Sequence, residues 1–138
     1  YAYSTKYHRH IAEIDQEFKK ISKNIIYTFN PHLIPSFRGI LSSIYVNKKK
    51  NISLGKIVNT LKSYYKNNYF IKVYKPNTQI GTGNVIETNF CHISVCQTRL
   101  DNKIVIFSAI DNLIKGAAGQ AIQNMNLLYN LNETTGLK

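Results

Sequence analysis

The densest group of side chains able to move protons is His8-Arg9-His10, followed by Glu13. His10 and Glu13 are three positions apart, so on a helix they share a face. A carboxylate beside an imidazole raises its basicity and fixes its tautomer, which is what a general acid–base pair requires. The same spacing also suits a solvated histidine pair at the start of a surface helix. A second group is Pro31-His32-Leu33-Ile34-Pro35 with Arg38-Gly39. A loop braced by two prolines and carrying a His and an Arg can clamp an anion. It can equally be a rigid connection between two strands. A third group runs from Asp111 to Gln120, where Asp111 suits an N-cap and the free N–H groups of the first turn can hold an anion or an amide oxygen. Gly116, Ala117, Ala118 and Gly119 give this helix a smooth flank for another backbone or a flat cofactor ring. Glycine inside a helix costs up to about 1 kcal/mol against alanine, so two of them imply a packing or functional reason.

The elements that must carry these groups follow from periodicity. Ile11, Ile14, Phe18 and Ile21 predict a helix over Ile11 to Ser22, and the β-branched and aromatic run Ile25 to Phe29 predicts a strand stopped by Asn30-Pro31. His32 to Gly39 reads as a loop and Ile40 to Val46 as a strand. Ser53 is a suitable N-cap for a helix carrying Leu54, Ile57, Val58, Leu61 and Tyr65 and ending near Asn67-Asn68. Tyr69 to Tyr74 alternates as a strand, and Asn77 to Asn84 is a loop. Phe90 to Thr98 and Lys103 to Ala109 are two strands joined by turn residues, hence a hairpin. The last helix starts at Asp111 and runs to about Tyr129. The hairpin demands an antiparallel pair, so the expected fold is α+β: a mixed, mostly antiparallel sheet with helices on one face.

Composition narrows the function classes. At 138 residues, 43% of them hydrophobic, the chain is one domain's worth of protein with enough apolar mass for a core. No stretch approaches the roughly 20 apolar residues of a membrane span. Nothing at Tyr1 to His10 has the form of a signal peptide, and no initiator Met opens the chain, so the expected parent is longer. The net charge of +11 suits a basic module for nucleic acid or an anionic surface. However, the lysines are dispersed except for Lys48-Lys49-Lys50, and no nucleic-acid motif accompanies them. A solvated surface is the expectation. Cys91 and Cys96, if on one strand, point to opposite faces, so a mutual disulfide is not expected, and no second Cys pair completes a zinc site. Buried, reduced thiols are expected instead.

A family resemblance rests on several blocks in order. His8-Arg9-His10-Ile11-Ala12-Glu13-Ile14 is similar to the HRHxPEI signature of N-acetyl-gamma-glutamyl-phosphate reductases, with Ala12 in place of the usual Pro. Thr28 to Leu41 (TFNPHLIPSFRGIL) resembles their TPHLxPMxRGIL stretch, with Ser36-Phe37 replacing the usual Met and its neighbour. Thr88 to Cys91, Ser108 to Asn126 and Glu133 to Leu137 resemble their later blocks. Related aspartate-semialdehyde dehydrogenases share the DN…GAA pattern without the HRH motif.

The resemblance implies a C-terminal catalytic and dimerisation domain over residues 1–138, like that of semialdehyde and glyceraldehyde-phosphate dehydrogenases. The parent would reduce N-acetyl-gamma-glutamyl phosphate with NADPH in arginine biosynthesis. Its Gly-rich nucleotide loop and nucleophilic Cys would lie upstream, so that Cys91 is not the nucleophile and the chain alone is expected to be inactive. His8 and His10 would be the acid–base residues, in an order left open, with Glu13 supporting them. Arg38 and His32 would bind substrate. Asn112, Lys115 and Gly116 would border NADP. The last helix, about 111–129, would pack against the N-terminal NADP-binding domain, and the sheet would pair subunits into a homo-dimer or homo-tetramer. A small-molecule substrate, no nucleic acid, no membrane, no metal and a cytoplasmic location (organellar if a targeting segment precedes) complete the expectation. The alternative readings are the basic binding module and a catalytically idle oligomerisation remnant.

Overall fold

The spacing of Ile11, Ile14 and Phe18 builds helix α1, His10–Ile21, in a computed structural model that describes residues 1–138. The chain divides into two compact units, Tyr1–Ser36 and Phe37–Lys138. In the first, α1 is met by the stretch after it. The Tyr27 hydroxyl donates to Asp15 Oδ1 at 2.8 Å and to the Ile11 carbonyl at 3.2 Å, and the Tyr27 ring stands edge-on to Phe18 at 5.1 Å. The strand predicted over Ile25 to Phe29 does not form. Its alternation is real, with Tyr27 and Phe29 turned inward and Ile26 97% exposed. The inward residues meet α1 and His8, and no neighbouring strand takes up the backbone hydrogen bonds that a ladder needs. The unit closes on itself through the Ala2–His32 bridge, with Tyr3 N donating to Pro31 O at 3.1 Å.

The second unit is built on a four-stranded sheet. Strands β1 (Ile40–Asn47), β2 (Ile71–Val73), β3 (Cys91–Gln97) and β4 (Lys103–Ile110) lie in the order β1-β4-β3-β2. β1 and β3 both run antiparallel to β4, and β2 runs parallel to β3. The expected α+β class, mixed sheet and β3–β4 hairpin are present. The strand expected over Tyr69 to Tyr74 keeps only three residues of ladder.

Register sorts the side chains. Val73, Ile93, Val95, Ile104, Ile106, Ile44 and Val46 fall on one face. Helix α2, Leu54–Tyr64, covers part of that face: Val58 packs with Val95 and Ile104, bordered by Leu54, Ile57, Leu61, Val73 and Ile106. Ser53 caps it as expected, accepting from Lys56 N at 3.2 Å. Burial of this cluster, with that of Phe70, Val85, Val105 and Ala109, supplies the apolar driving force of the unit. On the other face, Ser94 and His92 are buried under the stretch after β2. Ser94 Oγ donates to Thr78 O, and Tyr74 Oη lies 3.2 Å from His92 Nδ1. Burial and the Lys72 charge push the His92 imidazole below its ordinary value.

Cys91 and Cys96 sit on opposite faces of β3 and are unpaired. Both are half-buried, not buried as expected. Cys91 Sγ lies 3.4 Å from Ser108 Oγ, and Cys96 Sγ lies 3.6 Å from Thr78 O. The last helix is also not α-helical throughout. Ile114–Ala118 winds as a π-turn, with Gly116 N donating to Asp111 O at 2.9 Å and Ala118 N to Leu113 O at 3.2 Å, before α3 runs from Gly119 to Leu128. Such π-turns cluster at functional sites.

Candidate functional site

The first polar centre belongs to the unit Tyr1–Ser36. His8 is half-buried between the rings of Tyr3 and Phe29, at 5.5 and 5.2 Å, and the His10 ring stands edge-on to it at 4.8 Å. The His10 backbone N–H donates to His8 Nδ1 at 3.2 Å. A backbone N–H can only donate, so neutral His8 carries its proton on Nε2 and has that N–H as its ring donor. The structure thus brings His8 and His10 together. Glu13 lies on α1 with His10 but forms no ion pair with either histidine: the ion pairs of the chain are Lys20–Glu17 and Arg38–Asp111. His32, exposed, has Nδ1 3.0 Å from Asn30 O, which makes Nδ1 its protonated nitrogen. His32 and Arg38, expected as one clamp, fall on either side of the division between the two units.

The second centre lies within Phe37–Lys138. Asp111 is fully buried, and its carboxylate takes five contacts. Arg38 Nη2 approaches Oδ1 at 2.8 Å and Oδ2 at 2.7 Å; Glu87 N donates to Oδ2 at 2.7 Å; Leu113 N and Ile114 N donate to Oδ1 at 2.8 and 3.0 Å. Burial alone would push this carboxyl up. The Arg38 guanidinium and the three backbone N–H groups outweigh it and hold the carboxyl well below the usual carboxylate range. Three separate stretches are tied at this one side chain: the approach to β1, the turn before β3 and the start of the last helix. Glu87, which donates to it, sits at φ 62°, a left-handed conformation that non-glycine residues adopt at a cost. Next to it, Gly39 N donates to Asn112 Oδ1 at 2.6 Å. Gly39 itself cannot be replaced freely: its φ is 105° and a Cβ would lie 2.6 Å from Thr82 Cβ.

The two glycines of the last helix separate the two explanations offered by the sequence. A Cβ on Gly119 would collide with Asn89 Oδ1 and with Ile114 Cγ2 at 2.6 Å, so this glycine serves internal packing. A Cβ on Gly116 would meet nothing nearer than 3.5 Å, and Gly116, Ala117 and Ala118 are exposed. Nothing within the chain requires Gly116 to lack a side chain; the flat surface is open to something outside it. Lys115, beside this flank, is engaged within the chain. Its ammonium donates to Gln123 Oε1 at 2.7 Å and rests 5.6 Å from the Phe70 ring centroid, and burial pushes it below the ordinary lysine value. Gln123 Oε1 also accepts from Asn89 Nδ2 at 2.9 Å, and Gln123 Nε2 reaches Glu133 Oε2 at 3.4 Å. Asn126 Nδ2 holds the tail through Thr135 O at 2.9 Å. No three His, Cys, Asp or Glu side chains converge as a metal site.

Sequence reasoning saw Asp111 only as a cap. The Asp111–Arg38 pair spans 73 positions and leaves no periodic trace. Asn89, Gln123 and Asn126 were missed as network members, although polar residues at buried positions of an apolar pattern are the signal that could have found them.

A family model described as "Semialdehyde dehydrogenase, dimerisation domain" matches residues 1–112. Among curated relatives, the N-acetyl-gamma-glutamyl-phosphate reductase of Thermoanaerobacter pseudethanolicus is 45% identical over 137 residues, covering 99% of this chain and 40% of the relative. The reductase of the same name from Halothermothrix orenii is 46% identical over 138 residues, with 99% and 40% covered. That from Clostridium novyi is 42% identical over 137 residues, with 99% and 39% covered. The chain therefore spans about two-fifths of the length of these relatives. By the match over its first 112 residues, the chain belongs to the semialdehyde dehydrogenase dimerisation-domain family.

Proposed function

We propose that this chain is the C-terminal catalytic and dimerisation part of a longer reductase, which converts N-acetyl-gamma-glutamyl phosphate to N-acetylglutamate semialdehyde and phosphate with NADPH. The observation that carries the reading is its end-to-end likeness, at 45% identity over 99% of the chain, to a reductase of that name. The histidine pair supports it with chemistry. His8 presents Nε2–H as a donor and so would protonate the oxygen that gains charge as the acyl group is reduced. His10, whose ring makes no hydrogen bond, would take up the proton released at the attacking group. Glu13, one helical turn on, would support the charged imidazole once substrate orders the site.

Bound NADPH would supply the hydride. The residues present fit such a cofactor in part. Asn112 keeps an amide N–H₂ without a partner in the chain, and the exposed Gly116–Ala118 flank suits a flat ring. Lys115 would act from beneath, steadying the π-turn through Gln123, instead of touching the cofactor. On the last helix, Ile122, Met125, Leu128 and Tyr129 are exposed and would pack against an N-terminal NADP-binding domain. Every residue of β1 is exposed, including Ile40, Leu41, Ile44 and Tyr45, so this unpaired edge and its two faces would join subunits into a homo-dimer or homo-tetramer. A cytoplasmic location belongs to the same reading.

The test is the parent chain assayed with NADPH and N-acetyl-gamma-glutamyl phosphate. Phosphate release should equal NADPH oxidised, while the 138-residue chain alone gives background. Turnover with a different acyl phosphate but none with this one would assign the chain to another member of the family.

A further inference from the structure

We propose that Asp111 and Arg38 act as a clamp that fixes which end of the Asn112 amide faces outward, and so make the adjoining surface selective for a ligand offering a carbonyl oxygen. The inference rests on the reading that Asn112 faces the cofactor.

The argument begins with the backbone of Gly39. Its N–H is a donor and nothing else, so the Asn112 atom 2.6 Å away must be the amide oxygen. The amide nitrogen is then the atom left to present. Asn112 cannot turn over without leaving the Gly39 N–H unsatisfied beside a half-buried residue, at a cost of about 1–3 kcal/mol. The amide is therefore only as fixed as Gly39 is. Gly39 follows Arg38, whose guanidinium is pinned to Asp111, and Asp111 precedes Asn112. The ion pair thus ties the residue before the donor to the residue before the acceptor. Thr82, packed where a Gly39 Cβ would go, closes the other side. A surface on which a fixed amide donor stands beside the open flank at Gly116 favours an acceptor. A carboxamide or ketone oxygen fits; a group that can only donate does not. Arg38 becomes on this account a positioning residue, its charge already met by Asp111, and not the anchor for the acyl phosphate expected from its loop.

The test uses the longer parent protein and two probes: NADPH and its 3-acetylpyridine analogue, which keeps the carbonyl oxygen but has no amide N–H₂. Fluorescence titration gives both dissociation constants. The wild type should bind the two within about threefold, because the acceptor is common to both. Asn112→Asp keeps the acceptor for Gly39 N–H and loses the donor, so both probes should weaken by about tenfold. Arg38→Met frees the amide to turn and accept from the carboxamide N–H₂, which should shift the ratio toward NADPH by about fivefold. Arg38→Lys should restore most of the wild-type ratio. A merely structural role would lower the amount of folded protein without moving this ratio. If Arg38→Met does not fold, Asn112→Asp carries the test alone: unchanged affinity there overturns the proposal. A wild type that binds NADPH but strongly prefers it to the analogue overturns the clamp only. A wild type that binds neither probe overturns the functional reading on which the clamp rests.

Discussion

The two polar centres of this chain are supported in opposite ways. Around Asp111 the support is dense: a fully buried carboxylate is held by a guanidinium and three backbone N–H groups, all within Phe37–Lys138. Around His8 and His10 there is no comparable support. No residue of Tyr1–Ser36 is fully buried, and the imidazoles are held by edge-on ring contacts and one backbone N–H. A preorganised centre can fix a ligand group in place; a loosely held pair can exchange protons but fixes nothing rigidly by itself. The difference predicts that damage to the first centre reads out as stability, and damage to the second as turnover.

The largest effect should come from Asp111→Ala. It leaves the Arg38 charge and three N–H groups without their acceptor, and breaking a buried pair costs about 3–5 kcal/mol. Chemical denaturation of the parent protein would measure it. A loss under about 1 kcal/mol would mean that water replaces the carboxylate and that the dense support adds little. The pH dependence has the same origin. The Asp111 carboxyl is depressed in the folded state, so its stabilisation is complete above the ordinary value of 3.8 and is lost as pH falls below it toward the folded-state value. His92 adds an earlier phase. Its imidazole is also depressed, so below the ordinary 6.5 the unfolded chain takes the proton first and stability begins to fall. His92→Gln should abolish this upper phase and leave the acid phase of Asp111 in place.

The histidines should show the reverse pattern. His8→Ala and His10→Ala in the parent should each lower turnover by on the order of 10²-fold if the residue moves a proton in the transition state, with the substrate Michaelis constant changing far less. Stability should hardly move, since neither ring is in a core. Glu13→Gln should be milder. Combined with His10→Ala it should add little, as for two residues acting as one unit. Near-normal turnover in both histidine variants would make the pair structural and leave the family assignment standing.

The glycines sharpen the comparison at smaller scale. Gly119→Ala must displace Asn89 or Ile114 and should cost about 1–3 kcal/mol as overpacking. Gly116→Ala has room and should gain up to about 1 kcal/mol from helix propensity while weakening NADPH binding. A Gly116→Ala protein with unchanged cofactor affinity would empty the flank of its proposed role.

Much of this was legible in the sequence, and what was not shares a cause. Local signals held: the Ser53 cap, the α2 stripe, the β3–β4 hairpin and the placing of Cys91 and Cys96 on opposite faces all follow from spacing within a few residues. The β-branched and aromatic run Ile25 to Phe29 does alternate, with Tyr27 and Phe29 inward and Ile26 outward. Its composition predicts a strand all the same, because whether a partner strand lies alongside is not a local property. The π-turn at Ile114–Ala118 escaped for a similar reason, since periodicity cannot distinguish an i−5 from an i−4 bond over a single turn. At the candidate site, His8 and His10 could be paired from their spacing. The Arg38–Asp111 contact could not, because nothing within either stretch records the other. Residue types named the chemistry, but only the fold showed that Lys115 is bonded to Gln123 and that the Asn112 amide oxygen is taken by the Gly39 N–H.

The smallest effect is expected where charge is densest. Lys48, Lys49 and Lys50 follow β1, where Lys48 N donates to Asn102 O at 2.9 Å, and none of the three ammonium groups is ion-paired. Lysines of this kind, Lys49 and Lys50 exposed and Lys48 half-buried, repel one another weakly through water, and salt screens even that. Changing all three to Ser keeps the backbone bond from Lys48 and removes three charges from a protein of net charge +11. Stability should change by no more than about 0.5 kcal/mol, and turnover and both Michaelis constants should stay near the wild type. The measurement that matters most is binding to DNA and RNA across a salt series. A solvated surface gives weak binding that vanishes at moderate salt and is little altered by the triple change. A steep salt dependence that flattens when the three lysines are removed would show a phosphate-binding surface, and the sharpest contrast in the molecule would then lie between the lysine turn and the Asp111 centre.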